Sequence, residues 1–293
     1  MAIYNLGSIN ADMIYRVPHL PLPGETLACT SLSRGLGGKG ANMSVAAARA
    51  AARVLHIGAV GADGAWAVER LLEYGVDTRH IARATEPTGH AIIALDDTGE
   101  NNILLYPGAN HTLTVPQIEA ALATAGPDDT FLFQNETNAQ AEAARLARGR
   151  GMRVAYAAAP FDADATAAVL PLLDLLVLNE VEAAQLAQAT GTSAENLPVR
   201  DVVVTLGAEG CRWHNANTGR TQHVPAVKVT PVDTTGAGDT FTGYLLAGLD
   251  RGLPMLQALA LASRAAALKV TRVGAADVVP DLKEVTEAHF GAL

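Results

Sequence analysis

The sequence predicts an α/β protein, with a mostly parallel sheet covered by helices and a small second sheet set apart near the N-terminus. Three observations carry this. From about residue 115 onward, short apolar runs recur between longer Ala-rich or charged stretches. These runs are continuous rather than alternating, the pattern of strands buried on both faces. Two earlier stretches break the rhythm with Pro, Gly and a hairpin-like pair. With 293 residues, of which 49% are hydrophobic and 17% charged, the chain has material for one main domain with a large core and a small appendage.

The elements follow in order. Met1 to Ser8 enters a strand-like run directly, without a basic segment followed by an apolar one, and no stretch of about 18 apolar residues occurs. A soluble, cytoplasmic protein is expected. Residues 12 to 34 hold Pro18, Pro21, Pro23 and Gly24 between short extended pieces. In 88 to 106, the runs His90 to Leu95 and Asn102 to Tyr106 flank Asp96-Asp-Thr-Gly99 as two strands. These two stretches form the expected small sheet. A helix is predicted over Met43 to Ala52. Strands are predicted at Phe131 to Phe133, Arg153 to Tyr156, Leu175 to Leu178 and Val202 to Thr205, with helical stretches such as Ala139 to Arg150 and Glu180 to Thr190 between them. In an open sheet of this kind, ligands sit beyond the carboxyl ends of the strands.

The formal charge of -9 argues against a nucleic-acid binder, which needs a basic face, and favours a small-molecule partner. Cys29 and Cys211 stand far apart without ligand-like spacing, so neither a disulfide framework nor a zinc site is expected.

Chemistry concentrates in Asp233-Thr-Thr-Gly-Ala-Gly-Asp239-Thr, where a turn of small residues opens the apolar helix Phe241 to Leu249. Unpaired backbone N–H groups at Gly236, Ala237 and Gly238 are expected to converge on an anion, with Asp239 beside it as a base. Helix capping is the competing role for this aspartate. A second glycine-rich segment, Gly35-Leu-Gly-Gly-Lys39-Gly-Ala-Asn42, formally matches G-x-G-x-x-G. It does not follow the first strand, and no acidic residue lies about twenty positions on, so a dinucleotide site is rejected. A nucleotide P-loop fails as well, because glycine follows Lys39 and position 33 is serine.

Gly7-Ser-Ile-Asn10-Ala-Asp12, Gly38-Lys-Gly-Ala-Asn42, Asn179-Glu-Val-Glu182 and the run 233 to 239 occur in this order, and together they resemble the ribokinase-like carbohydrate kinases. Pro23-Gly-Glu-Thr26, Pro107-Gly-Ala-Asn110, Thr205-Leu-Gly-Ala-Glu-Gly210 and Thr271-Arg-Val-Gly-Ala275 extend the resemblance over nearly the whole chain. It implies a three-layer sandwich over all 293 residues, with a β-sheet lid formed by about 12 to 34 and 88 to 106 that often mediates a homodimer. It implies an ATP-dependent kinase that uses Mg²⁺, is activated by K⁺ and phosphorylates D-ribose at its 5-hydroxyl.

By this resemblance Asn10, Asp12, Gly38, Lys39, Asn42 and Glu136 form the sugar site, polar groups that orient hydroxyls. Asp239 takes the proton of the acceptor hydroxyl, and Gly236, Ala237 and Gly238 stabilise the transferring phosphoryl group. Asn179 and Glu182 support Mg²⁺ and its waters, although Asn-x-x-Glu is also a capping box and both readings are compatible. Thr205, Gly207, Gly210 and Ser263 match the nucleotide side. Asp233, Thr235, Lys269, Arg272, Gly274 and Val278 match a monovalent-cation site, mostly through backbone carbonyls. Three departures stand out. Val278 replaces a serine at that cation site, Ala157-Ala-Ala-Pro160 replaces Asn-Pro-Ala-Pro, and Tyr244 occupies a position where the family has a small residue. Tyr244 reads as core rather than as a ligand contact. A kinase of another sugar or a nucleoside, and a non-catalytic sugar or nucleotide sensor, are the competing functions; retention of Asp239 speaks against the sensor.

Overall fold

The computed structural model describes residues 1–290. Nine strands form one sheet: β1 (Ile3–Leu6), β4 (Val54–Val60), β5 (Asp77–Arg83), β8 (Thr130–Phe133), β9 (Arg153–Ala157), β10 (Leu175–Asn179), β11 (Asp201–Thr205), β12 (Cys211–Asn215) and β13 (Arg220–Val224). Their spatial order is β13-β12-β11-β10-β9-β8-β1-β4-β5. All neighbours run parallel except β11 with β12 and β12 with β13, which are antiparallel.

Strand side chains divide between two cores, as the period of two requires. Ile3, Leu132, Ala155, Leu175 and Val203 point to one face, where they meet α1 (Lys39–Arg49), α2 (Ala65–Glu73), α7 (Ala237–Asp250) and α8 (Met255–Lys269). Tyr4, Phe131, Val154, Leu176 and Val202 point to the other, against α3 (Val115–Ala121), α4 (Gln140–Gly149), α5 (Ala163–Val169) and α6 (Glu180–Thr190). A short α9 (Leu282–Glu287) closes the first layer through buried Val285. This is the expected three-layer arrangement. The seven-residue β4, buried throughout, was not singled out by the sequence pattern.

The second sheet has four strands in the order β3-β2-β6-β7, formed by β2 (Asn10–Arg16), β3 (Ser31–Gly37), β6 (Gly89–Leu95) and β7 (Asn101–Tyr106). The expected stretches fall on it, with two differences. β2 starts at Asn10 and β3 runs to Gly37, so the small sheet reaches into both sugar-site motifs. Residues 17–30 contribute no strand. β7 is exposed along its whole length.

Helix α1 begins at Lys39 and ends at Arg49, four residues earlier at its start than Met43 and three earlier at its end than Ala52. Gly38 is its N-cap, so the glycine-rich loop itself winds into the first turn. α1 packs on α7 at very close range. A Cβ placed on Gly243 would lie 2.5 Å from Ala46 Cβ and 2.7 Å from Met43 O, so only glycine permits this approach. Tyr244 is fully buried and its hydroxyl donates to Pro280 O at 2.7 Å, which makes it a core residue as expected.

Candidate active site

The site gathers at the carboxyl edge of the parallel strands, where β1, β8, β10 and β11 each hand the chain to a functional segment. Between these segments and the start of α7 lies a cleft of about 240 Å³, lined by residues that include Lys39, Asn179, Glu182, Thr205, Gly236, Ala237, Gly238 and Asp239. A cavity of about 230 Å³ between Arg34, Trp66, Arg70 and Asp277 contains none of the expected site residues.

Asp239 sits in the first turn of α7 and is buried, with 7% of its surface exposed. Its Oδ2 accepts from Asn42 Nδ2 at 2.8 Å, a contact between α1 and α7 made possible by their close packing at Gly243. Burial raises the Asp239 pKa above that of an ordinary aspartate; Lys39, the Asn42 hydrogen bond and Lys269 oppose the shift, and Glu136 adds to it. A carboxylate so placed is a stronger base than a solvated one. Lys39, in turn, is held protonated chiefly by the charge of Asp239, against the effect of its own burial.

The turn before α7 departs from the expectation of three free amides. Gly236 is left-handed, with φ of 69°, and this tight bend lets Ala237 N–H donate to Thr234 O at 3.1 Å. Among the described residues, the N–H groups of Gly236 and Gly238 have no such partner. Two amides therefore remain without a backbone partner, and the Ala237 N–H serves the turn.

On the sugar side, Asn10 and Asp12 lie on β2, where Asn10 pairs with Gly37 of β3 and Gly89 of β6. Asn10 is buried, and its Oδ1 accepts from Asn110 Nδ2 at 2.7 Å; Asn110 Oδ1 in turn accepts from Ile9 N at 2.9 Å. Asn110, the last residue of the Pro107-Gly-Ala-Asn110 run, thus fixes the Asn10 amide through Asn10 Oδ1, and among the described residues no hydrogen bond engages the Asn10 NH₂ group. Asp12 has its pKa pushed up to about 6, by burial first and then by the nearby charges of Glu136 and Asp239. Glu136 follows β8, and its Oε2 accepts from Lys39 N at 3.0 Å and from the Ser8 hydroxyl. It thus caps the N-terminus of α1, a favourable place for a carboxylate. Asn42 Oδ1 is buried without a partner in the protein, as an acceptor kept for a ligand hydroxyl would be.

Beneath this site runs a buried polar network that sequence spacing gave no signal for. Asn5 Nδ2 donates to Gly40 O and Ser44 Oγ, both at 2.8 Å, and Asn5 Oδ1 accepts from Gln134 Nε2 at 2.8 Å. His56 is fully buried, with its pKa pushed down to about 4 by burial. Being neutral, it donates from Nε2 to Gly7 O at 3.0 Å and accepts at Nδ1 from the Ser44 hydroxyl at 2.8 Å. These bonds tie β1, α1, β4 and β8 together directly under the sugar loop.

On the phosphate side, Asn179 and Glu182 form a complete capping box. Asn179 Oδ1 accepts from Glu182 N, and Glu182 Oε2 accepts from Asn179 N, each at 2.8 Å. Both residues nevertheless line the cleft, and burial raises the Glu182 pKa. No group of three or more His, Cys, Asp or Glu arranged for a metal exists among the described residues. The set fits a Mg²⁺ ion that relies on phosphate oxygens and water for most of its ligands, with Glu182 as the nearby carboxylate. Thr205, at the end of β11, lines the cleft as well. Gly207, Gly210 and Ser263 lie outside it; Gly210 has φ of 105°, and Ser263 Oγ is buried without a partner.

The residues expected to hold potassium are together but already engaged. Asp233 Oδ1 accepts from Thr235 N and Oδ2 from Gly274 N, both at 2.8 Å. Two of the carbonyls expected to face the ion accept from cationic side chains of the chain itself: Asp233 O from Lys269 Nζ at 3.0 Å and Val278 O from Arg272 Nη1 at 3.3 Å. This donor set does not fit a potassium ion.

A buried carboxylate beside an amide-lined helix start, facing a pocket of hydroxyl-binding groups on a helix-covered parallel sheet, defines a phosphotransferase that acts on a polyhydroxyl substrate. The comparisons with known proteins agree. The pfkB family carbohydrate kinase profile matches residues 3–282, so the chain belongs to that family. A ribokinase of Haemophilus influenzae is 34% identical over 297 residues, covering 96% of this chain and 96% of the relative. The crystal structure of a Thermotoga maritima ribokinase superposes with a TM-score of 0.88 at 30% identity, covering 98% of each chain. A ribokinase of Arabidopsis thaliana complexed with ribose and ATP gives a TM-score of 0.85 at 27% identity, again over 98% of each chain. The chain is thus a carbohydrate kinase by family, fold and site.

Proposed function

We propose that this chain transfers the γ-phosphoryl group of ATP to the 5-hydroxyl of D-ribose, giving ribose 5-phosphate and ADP. The observation that carries the reading is the junction of the two half-sites at one hydrogen bond: Asn42, in the first turn of α1, donates to Asp239, in the first turn of α7. A hydroxyl held by Asn42 Oδ1 is thereby brought to the base. Asp239 takes the hydroxyl proton as the oxygen attacks the γ-phosphorus; the bond from that phosphorus to the β,γ-bridging oxygen breaks, and ADP leaves.

The other residues bind and steer. Asn10, Asp12 and Glu136 accept from or donate to the remaining sugar hydroxyls, with Gly38 at the bend that brings the loop to them. Gly236 and Gly238 N–H and the Lys39 ammonium face the charge that spreads over the transferring group, where preorganised donors contribute most. Glu182 and Asn179 would hold the waters of a Mg²⁺ ion, which would supply neutralisation of the phosphate charge. Thr205, Gly207, Gly210 and Ser263 form the nucleotide side. What supports ribose and ATP is the ligand pair named for the Arabidopsis relative together with this polar set.

The small sheet serves as a lid that excludes water from the phosphoryl donor, and its outer face serves as a homodimer contact. Exposed Leu32, Ile92, Leu104 and Tyr106, which the strand register places on one face of this sheet, support the second role. A cytoplasmic setting accords with unpaired Cys29 and Cys211. Among the described residues, no helix is long and apolar enough to cross a membrane.

The test is ADP release by purified protein with ATP and Mg²⁺ across D-ribose, deoxyribose, fructose, adenosine and inosine. Release with ribose at the highest kcat/KM is expected. Release with another acceptor and none with ribose removes the substrate assignment.

A further inference from the structure

Lys269 is the last residue of α8 and is wholly buried, with 0% of its surface exposed. A lysine so placed is costly to keep unless its charge is used. No carboxylate pairs with it at salt-bridge distance among the described residues, and its Nζ donates to Asp233 O at 3.0 Å. Asp233 opens the turn that ends at Asp239. Its carboxylate is spent on Thr235 N and Gly274 N, which leaves its carbonyl to face the ammonium. Burial lowers the Lys269 pKa from the ordinary lysine value, and the charges of Asp233 and Asp239 oppose that shift and favour the ammonium. The ammonium therefore lies against the start of the anion-binding turn, and Lys269 is not among the residues lining the cleft.

A potassium ion at this place would need the carbonyl that Lys269 holds and would bring a second buried cation beside the first. Arg272 Nη1 likewise donates to Val278 O, a second carbonyl expected at the ion. We infer that the Lys269 ammonium takes the place of a monovalent cation, so that this enzyme transfers phosphoryl groups without activation by potassium. Lys269 acts as a positioning residue. It holds the carbonyl side of residues 233–235 so that Gly236 and Gly238 N–H point into the cleft, and it adds a fixed positive charge against the start of the anion-binding turn. The assignment rests on the phosphoryl-transfer reading, and its test separates the two.

The experiment compares ADP release in potassium, sodium and tetramethylammonium chloride at equal ionic strength, for the native protein, Lys269→Ala and Lys269→Met, alongside melting temperatures in the same salts. The native protein is expected to turn over within about twofold in all three salts, with no melting shift specific to potassium. Lys269→Ala opens a cation-sized space. In tetramethylammonium its turnover is expected to fall by roughly tenfold or more, with saturable recovery in potassium and a potassium-specific rise in melting temperature. Lys269→Met keeps the bulk without the charge and is expected to stay slow in every salt. Strong potassium activation of the native protein overturns the inference, as does a Lys269→Ala enzyme equally fast in all salts. If Lys269→Ala fails to fold, the native salt series and Lys269→Met decide alone. Absence of ADP release from the native protein in every salt counts against the kinase reading, and the melting comparison still decides the cation assignment.

Discussion

Asp12 shows how one carboxylate both serves and limits the site. It recognises hydroxyl donors best when ionised, yet burial and the charges of Glu136 and Asp239 push its pKa up to about 6. Sugar binding is therefore expected to weaken as pH falls through that value, with KM for ribose rising below about pH 6. Initial rates across sugar concentrations between pH 5 and 8 check this, and Asp12→Asn should show a KM that is higher but flat over the range. The motif residues Asn10, Asp12, Lys39, Asn42 and Asp239 were legible because each lies in a short ordered run of polar and glycine residues. The roles of Asn110 and Ser8 are not legible locally, since they depend on partners 100 and 128 residues away. In sequence, Lys269 matches only a position of a monovalent-cation site made mostly of backbone carbonyls. Nothing in the local sequence tells that its side chain folds inward onto Asp233.

Among the elements, α1 and α7 matter most, because Asn42 and Asp239 meet only if these helices keep their close approach. Gly243→Val places a branched side chain against Ala46 and Met43 O. It is expected to lower stability by about 1–3 kcal/mol and to lower kcat more than it changes nucleotide affinity, measured by denaturant unfolding and steady-state rates. The polar network around His56 gives a second outcome. The folded-state pKa is depressed from 6.5 to about 4, so the neutral imidazole stabilises the fold above pH 6.5, and this contribution is lost as pH falls towards 4. The loss is expected to be on the order of 2–3 kcal/mol, read as a pH slope of unfolding free energy that His56→Gln lacks. The strands from β8 to β11 were legible as continuous apolar runs. The helix register was less so: α1 begins at Lys39 because Gly38 and the Glu136 carboxylate cap it across space, which Met43 to Ala52 alone does not reveal.

For the molecule as a whole, the proposed reaction divides the work between the small sheet and the sandwich. On the proposed reading the large sheet fixes the base, the amides and the nucleotide side and the small sheet carries Asn10 and Asp12 over the sugar; its strand β7 is exposed and apolar. Leu104, 65% exposed on β7, is well placed to report on association. Leu104→Glu is expected to shift the protein from dimer to monomer in sedimentation velocity, and an unchanged sedimentation coefficient would place the contact elsewhere. The small sheet was legible from Pro-rich and hairpin-like stretches. Its reach into the glycine-rich loop was not, because β2 pairs with β3 and β6 through backbone bonds that carry no residue signature. The central claim is that Asp239 takes the proton of the acceptor hydroxyl. Asp239→Asn keeps the shape and the neighbour of this group while removing its basicity. Turnover of ATP and ribose by this variant is expected to fall by about 10²–10⁴-fold, with ribose binding retained in calorimetry. Turnover equal to that of the native protein would contradict the account.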